Sequence, residues 1–325
     1  MEDRISGRQA GAWGFCALSV PAVLTCAKLS WGWVLLGCGA AAAFFYLTQC
    51  LAGETGAVRL TELTLQAFGR IVGRVLLGVG GAFALLAAAQ TAARAGAAFP
   101  DETAQLAGPA ILALAAAANR KSAAAAARVC GVVTLVLAIL YTVIMLSAAR
   151  QVQAQWLRPW GSARQMAEVI PAVLSVSCLR YLPQRRGAVH GGWLALLICG
   201  PAALAAVTAG CLSARLTQVL AQPFYTVSQS LSILDVMERF EPLVSAALLM
   251  GFFALESLLL GSAKAQILAG AGRGDTEAWV SFALGTAAFG LSFLTGRVPA
   301  EVWAIGAAVC WGILPLLTQL IVAIK

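Results

Sequence analysis

Between Arg128 and Arg150 the chain reads VCGVVTLVLAILYTVIMLSAA, 21 residues without a charge. As a helix this stretch is about 32 Å long, enough to cross the roughly 30 Å hydrocarbon core of a bilayer. It carries no turn signal that would cut it into strands. Nine further apolar runs flank it, and charges punctuate the gaps. The spans predicted are 10–28, 31–51, 71–98, 103–119, 128–149, 166–182, 189–213, 238–263, 278–295 and 301–323. The fourth and sixth are short. The alanine-rich fourth continues past Asn119-Arg120-Lys121 through Ala123 to Ala127.

Composition agrees with this reading. Apolar residues are 60% of 325 positions and charged ones 11%, and mean hydropathy is +0.84. A soluble chain has about 25% charged residues, and surface-to-volume scaling leaves too much surface exposed for so apolar a chain to hide in water. The expectation is one all-α membrane bundle, with the lipid bilayer as its surroundings. The net charge is +8, but no dense basic run exists, so no nucleic acid is expected as a partner. The basic residues instead set orientation. With the N-terminus inside, fourteen of the 22 Lys and Arg fall on the cytoplasmic side, which places both termini in the cytoplasm. Arg4 and Arg8 precede the first run as a signal peptide's would, but 10–28 is long for a signal core, and it is read as the first helix. All nine cysteines lie in or at the ends of apolar runs without a Cys-x-x-Cys pair, which makes them packing residues. The lone His190 gives no metal site. No nucleotide-binding, hydrolase or metalloprotease motif occurs, so neither an enzyme nor a cofactor is expected.

Ten spans divide into five plus five: 1–149 and 150–325. An inverted repeat would make the first and sixth helices equivalent, and transporters built this way bind solutes where those two helices break. The first span contains Leu18-Ser19-Val20-Pro21-Ala22 and the sixth Leu174-Ser175-Val176-Ser177-Cys178. Pro21 and Pro171 each remove a helix hydrogen bond, and a serine hydroxyl can satisfy the freed carbonyl. Ser19, Val20, Pro21, Ala22, Ser175, Val176, Ser177 and Cys178 are therefore the candidate ligand-binding residues. Ordinary proline kinks are the plainer alternative. Glu256 is the acidic residue well inside a span; such residues are functional by default, and it could carry a proton or hold a cation. Alternatively it pairs with Lys264 or faces the cytoplasmic end, where snorkelling lowers the cost of its charge. Glu168, near the outer end of the sixth helix, could line a vestibule. Gln90, Thr91 and Arg94 form a polar cluster in the outer half of the third helix, with Arg94 read as interfacial.

Two linkers have apolar periodicity of their own. Leu60, Leu63, Ala67 and Phe68 predict a short interfacial helix over 60–69. Phe224, Val227, Leu231 and Leu234 predict another, lying on the outer membrane surface. The latter runs into Asp235-Val236-Met237-Glu238-Arg239-Phe240-Glu241, where Asp235 and Arg239 have the spacing of a helical ion pair.

These stretches, in order, resemble the spore germination permease family, the B-type membrane subunit of nutrient germinant receptors and a branch of the amino acid–polyamine–organocation transporters. Ile5-Ser6-Gly7-Arg8-Gln9 is similar to the family's start. Phe68-Gly69-Arg70-Ile71-Val72-Gly73 resembles a two-glycine step before the third helix. Phe99-Pro100-Asp101-Glu102-Thr103 and Arg158-Pro159-Trp160 fall where the family has proline turns. Pro223-Phe224-Tyr225, Ser232-Ile233-Leu234-Asp235 and Glu238-Arg239-Phe240-Glu241 are similar to the entrance of the eighth helix, with its Glu-Arg-x-Glu signature at Glu238, Arg239 and Glu241. The resemblance implies a transporter-like fold with broken first and sixth helices, in the inner membrane of the spore. It implies a small-molecule nutrient such as an amino acid as ligand, and two partners: a larger membrane subunit and a lipoprotein subunit. The chain departs from the superfamily at Cys16-Ala17-Leu18-Ser19-Val20-Pro21, which lacks the glycine-rich break of the transporters. An ion-coupled amino acid transporter and a non-binding scaffold of the receptor complex are the alternatives.

Overall fold

The computed structural model describes residues 4–55, 59–98, 106–120, 122–162, 164–184, 191–230, 241–273, 278–295 and 298–324. They form a helical bundle in which eight helical stretches are long and apolar enough to cross a membrane. Their order is α1 (Gly7–Leu24), α2 (Trp31–Thr55), α3 (Leu60–Ala97), α4 (Ala107–Ala118), α5 (Ala123–Ala149), α6 (Gln165–Leu174), α7 (Gly191–Leu212), α8 (Ala214–Val219), α9 (Pro223–Gln229), α10 (Glu241–Ala271), α11 (Ala278–Thr295), α12 (Ala300–Ala307) and α13 (Leu314–Ile324). A π-helical segment, Ala308–Ile313, joins α12 to α13, so 300–324 form one span.

The outside of the bundle is apolar. On α5, Val132, Leu135, Ile139, Val143 and Leu146 recur at three- and four-residue steps and are exposed. Cys130, Leu137, Ile144 and Ala148 on the other side of the same helix are buried. An apolar stripe on the outer face of an already apolar helix is stable against lipid and not against water. The protein is a multi-pass helical membrane protein. At its centre α10 packs against α3 and α1, while α1 also packs on α5 and α7, and α2 on α6 and α7.

Several expected boundaries move. Ala123–Ala127 belong to α5 and not to α4. Asn119 stops α4: its Nδ2 donates to the Ala115 carbonyl at 3.0 Å and across to the Ser257 carbonyl at 2.7 Å, and Ser122 is extended at φ −161°. The 12 residues of α4 are too few to cross a bilayer by themselves. The interfacial helix expected over 60–69 and the third span meet at Gly69. Gly69 has φ 75° and ψ 175° inside α3, a conformation open to glycine and strained for other residues. The chain doubles back there, so that Gly73 lies close beneath Thr64 and Leu65. The apolar face of this first arm is covered by protein: Leu60 and Leu63 pack with Leu77 and Tyr181. The second expected surface helix is also covered. It is short (α9), and Phe224 and Val227 are fully buried in the core. Leu231, Leu234, Asp235, Glu238 and Arg239 lie outside the described residues, as do His190 and Phe99–Thr103; Glu241 is the first residue of α10.

Candidate functional site

The sixth span changes helix type at the predicted position. Its α-helical part ends at Leu174, and Ser175–Tyr181 continue as a 3₁₀ helix. The first span does not break: α1 runs through Pro21 to Leu24 and tightens only at Cys26–Lys28. The helical pattern continues beyond the proline, with Thr25 N–H donating to the Pro21 carbonyl at 3.0 Å. Nor do the serines bond the carbonyls that the prolines free. Ser19 Oγ donates to the Cys16 carbonyl at 2.6 Å and Ser175 Oγ to the Ala172 carbonyl at 2.8 Å. Each turns back three residues on its own helix, which tightens and bends the turn.

A cavity of about 670 Å³ lies between α1, α3, α6, α10 and α12. Val20 and Pro21 from α1, and Pro171, Ala172 and Ser175 from the sixth span, line it. Gln90, Thr91 and Arg94 of α3 face them, with Lys28 and Glu168. Phe252, Leu255 and Leu259 of α10 form an apolar wall, and Trp303 and Trp311 close one side. Phe83 packs on both tryptophans, with ring centroids 5.7 and 4.9 Å apart. Both indole N–H groups are buried without an acceptor among the described residues. The site therefore offers two cations, one carboxylate and an apolar wall; the two indole N–H groups are buried away from it. It is large enough for a small polar solute.

The candidate residues do not all meet there. Ser19 and Ala22 line a different space, an apolar groove of about 820 Å³ between α1, α5 and α7. Two turns of α1 thus separate a polar cavity from an apolar groove. Val176, Ser177 and Cys178 are buried and line neither cavity; Val176 packs towards Gly14 of α1. Lys28 and Trp303 went unnoticed in sequence because each sits near a span end, where membrane proteins place ordinary interfacial anchors; Trp311 lies mid-span among apolar residues.

Glu256 is fully buried, and neither carboxylate oxygen has a hydrogen-bond partner among the described residues. The expected alternative, pairing with Lys264, is not what the structure has. Lys264 lies two turns further along α10, and its Nζ donates to the Asn119 carbonyl at 3.3 Å. The nine cysteines are all free, and the described residues contain no cluster able to hold a metal ion.

Fold and cavity together define a class: a polytopic helical membrane protein with a polar, mixed-charge cavity inside its bundle. Neither the models of known protein families nor the curated proteins contain a match to the chain.

Proposed function

We propose that this protein is the nutrient-binding membrane subunit of a spore germinant receptor, and that the cavity between the first and sixth spans takes an amino acid. The observation that carries this reading is the convergence of Pro21 and Ser175 on one cavity that also holds Lys28, Arg94 and Glu168. Two cations suit a carboxylate, and arginine can bind one through two parallel hydrogen bonds. Glu168 suits an ammonium group. The wall formed by Phe252, Leu255 and Leu259 accommodates an apolar side chain. The family itself rests on the sequence resemblance.

In this reading the bundle is a five-plus-five inverted repeat. Helix pairings support it. Exchanging spans one to five with six to ten turns the α1–α5 contact into α6–α12, α1–α7 into α6–α2, α3–α11 into α10–α4, and α3–α13 into α10–α5. All of these contacts exist, and α2–α7 and α3–α10 map onto themselves. Both termini are cytoplasmic, the membrane is the inner membrane of the spore, and the partners are a larger membrane subunit and a lipoprotein. A second reading, an ion-coupled amino acid transporter, is favoured by the unpartnered Glu256.

The test is thermal stabilisation of the purified chain by a panel of the proteinogenic amino acids, beside Ser175→Leu. Stabilisation that is lost in the variant supports a nutrient site in the cavity. Stabilisation by no amino acid, with the wild type folded, rejects it and favours a scaffold. Uptake of the stabilising amino acid into proteoliposomes only under an ion gradient would establish the transporter instead.

A further inference from the structure

Glu256 stands within the wall of the cavity without lining it. Phe252, Leu255 and Leu259 line the cavity, and the seven steps of α10 from the first to the last rise about 10 Å. Glu256 lies inside that depth, turned about 65° from the lining face at 100° per residue. It shares a helix face with Ala263 and Ile267, which pack on Gly81 of α3. The two helices run antiparallel, since Gly270 of α10 meets Arg74 and Leu77. Carrying the Ala263–Gly81 register back seven residues sets Glu256 level with Ala88. Its carboxyl is therefore in the α3–α10 seam, directly behind Ala87, Gln90 and Thr91, which line the cavity on the α3 side. A carboxyl without a hydrogen bond from the described residues in such a place is expensive to keep.

We propose that Glu256 is a proton-exchange site served by the cavity. The carboxyl O–H bond breaks as the proton passes through the α3–α10 seam and an O–H bond forms on a water in the cavity, leaving a carboxylate and a hydronium ion; the reverse transfer from water reloads the carboxyl. The elements packed on α10 are α1, α3, α4, α5, α9, α11 and Ser175–Tyr181. Their charged residues are Arg8 in α1, Glu62, Arg70, Arg74 and Arg94 in α3, Arg128 in α5 and Arg180; α4, α9 and α11 carry none. Cys16, Cys130, Tyr141, Cys178, Tyr181 and Tyr225 are their other titratable groups. Arg94 is the charged group of α3 closest in register, six residues or about 9 Å along the axis from Ala88, and it faces the cavity. Lys264 on α10 itself is bonded to Asn119.

The inference does not depend on which solute the cavity takes, so its test needs none. Infrared spectra of the full chain in lipid nanodiscs would be recorded in H₂O and after transfer to D₂O. The expected result is a protonated-carboxyl band that disappears in Glu256→Gln, moves in Glu256→Asp, and shifts on transfer to D₂O within minutes. Filling the cavity should then stop the exchange. Ala172→Cys, labelled with a trimethylammonium methanethiosulfonate, puts a plug there, and the parent chain treated alike controls for its own cysteines. Three outcomes overturn the proposal: no Glu256-dependent band at any pH at which the protein stays folded, a band that never exchanges, or exchange that the plug leaves unchanged. The Asp variant keeps the assignment decidable should the Gln variant not fold.

Discussion

Gly251 of α10 lies directly on Ser19 of α1. A methyl group at Gly251 would overlap Ser19 Oγ and stand 2.9 Å from Val20 Cγ2. Ser19 is not free to turn away, because its hydroxyl is committed to the Cys16 carbonyl. The two helices that flank the cavity are thus held together at the level of its lining residue Val20, by the absence of one side chain.

Gly251→Ala should destabilise the protein by about 1–3 kcal/mol, the usual cost of overpacking, and Gly251→Val by more. Ser19→Gly in the Gly251→Ala background should recover part of the loss. Thermal unfolding in detergent, arranged as a double-mutant cycle, measures the coupling; additive effects would refute the contact.

Asn119 ties three helices together. Its side chain reaches α10 at Ser257, and its carbonyl accepts from Lys264 Nζ and, at 3.1 Å, from Ser281 Oγ of α11. Asn119→Leu leaves the Ser257 carbonyl without this donor and should cost about 1–3 kcal/mol. Asn119→Gln is the informative control: a longer amide that cannot hold the same geometry should recover little of that stability.

Gly69→Ala places a Cβ on a backbone at φ 75° and ψ 175°. The space around it is open, so the penalty is conformational, about 1–3 kcal/mol. Proteolysis between the two arms of α3 should accelerate in this variant. An unchanged digestion rate would mean that the turn survives the substitution.

Arg94→Gln and Glu168→Gln should each weaken binding of an amino acid about tenfold, equivalent to about 1.4 kcal/mol. They should do so selectively. The first should spare an amine that lacks the carboxylate, and the second a carboxylic acid that lacks the amine. Ser19→Ala, which alters the apolar groove, should leave affinity unchanged. Isothermal titration with the stabilising amino acid and its two truncated analogues checks all three.

Much of this arrangement was legible in advance, for local reasons. The spans of α5, α7 and α11 follow from uninterrupted apolar runs, and the change of helix type at Ser175 follows a proline four residues earlier. Gly69 was legible as a step between two helical arms. Other features were not. The pairing of Ser19 with the groove and Val20 with the cavity depends on how α1 is rotated against α5 and α10, and every face of α1 is similarly apolar. The unbroken passage of α1 through Pro21 depends on neighbours that hold its turns in place. The alanine-rich run reads straight past Asn119, because its partners Ser257, Lys264 and Ser281 are more than a hundred residues away.

The sequence by itself determined that the chain is a multi-helix membrane protein, since hydropathy and charge spacing are properties of short segments and the bilayer reads them locally. It also singled out Glu256, because a carboxylate inside an apolar run is conspicuous without any fold. Only the tertiary structure decided that this carboxylate has no hydrogen-bond partner among the described residues, that Lys264 turns to Asn119, and that Lys28, Arg94, Glu168, Pro21 and Ser175 share one cavity. Those outcomes are set by helix rotation and register, which arise from packing between segments far apart in the chain.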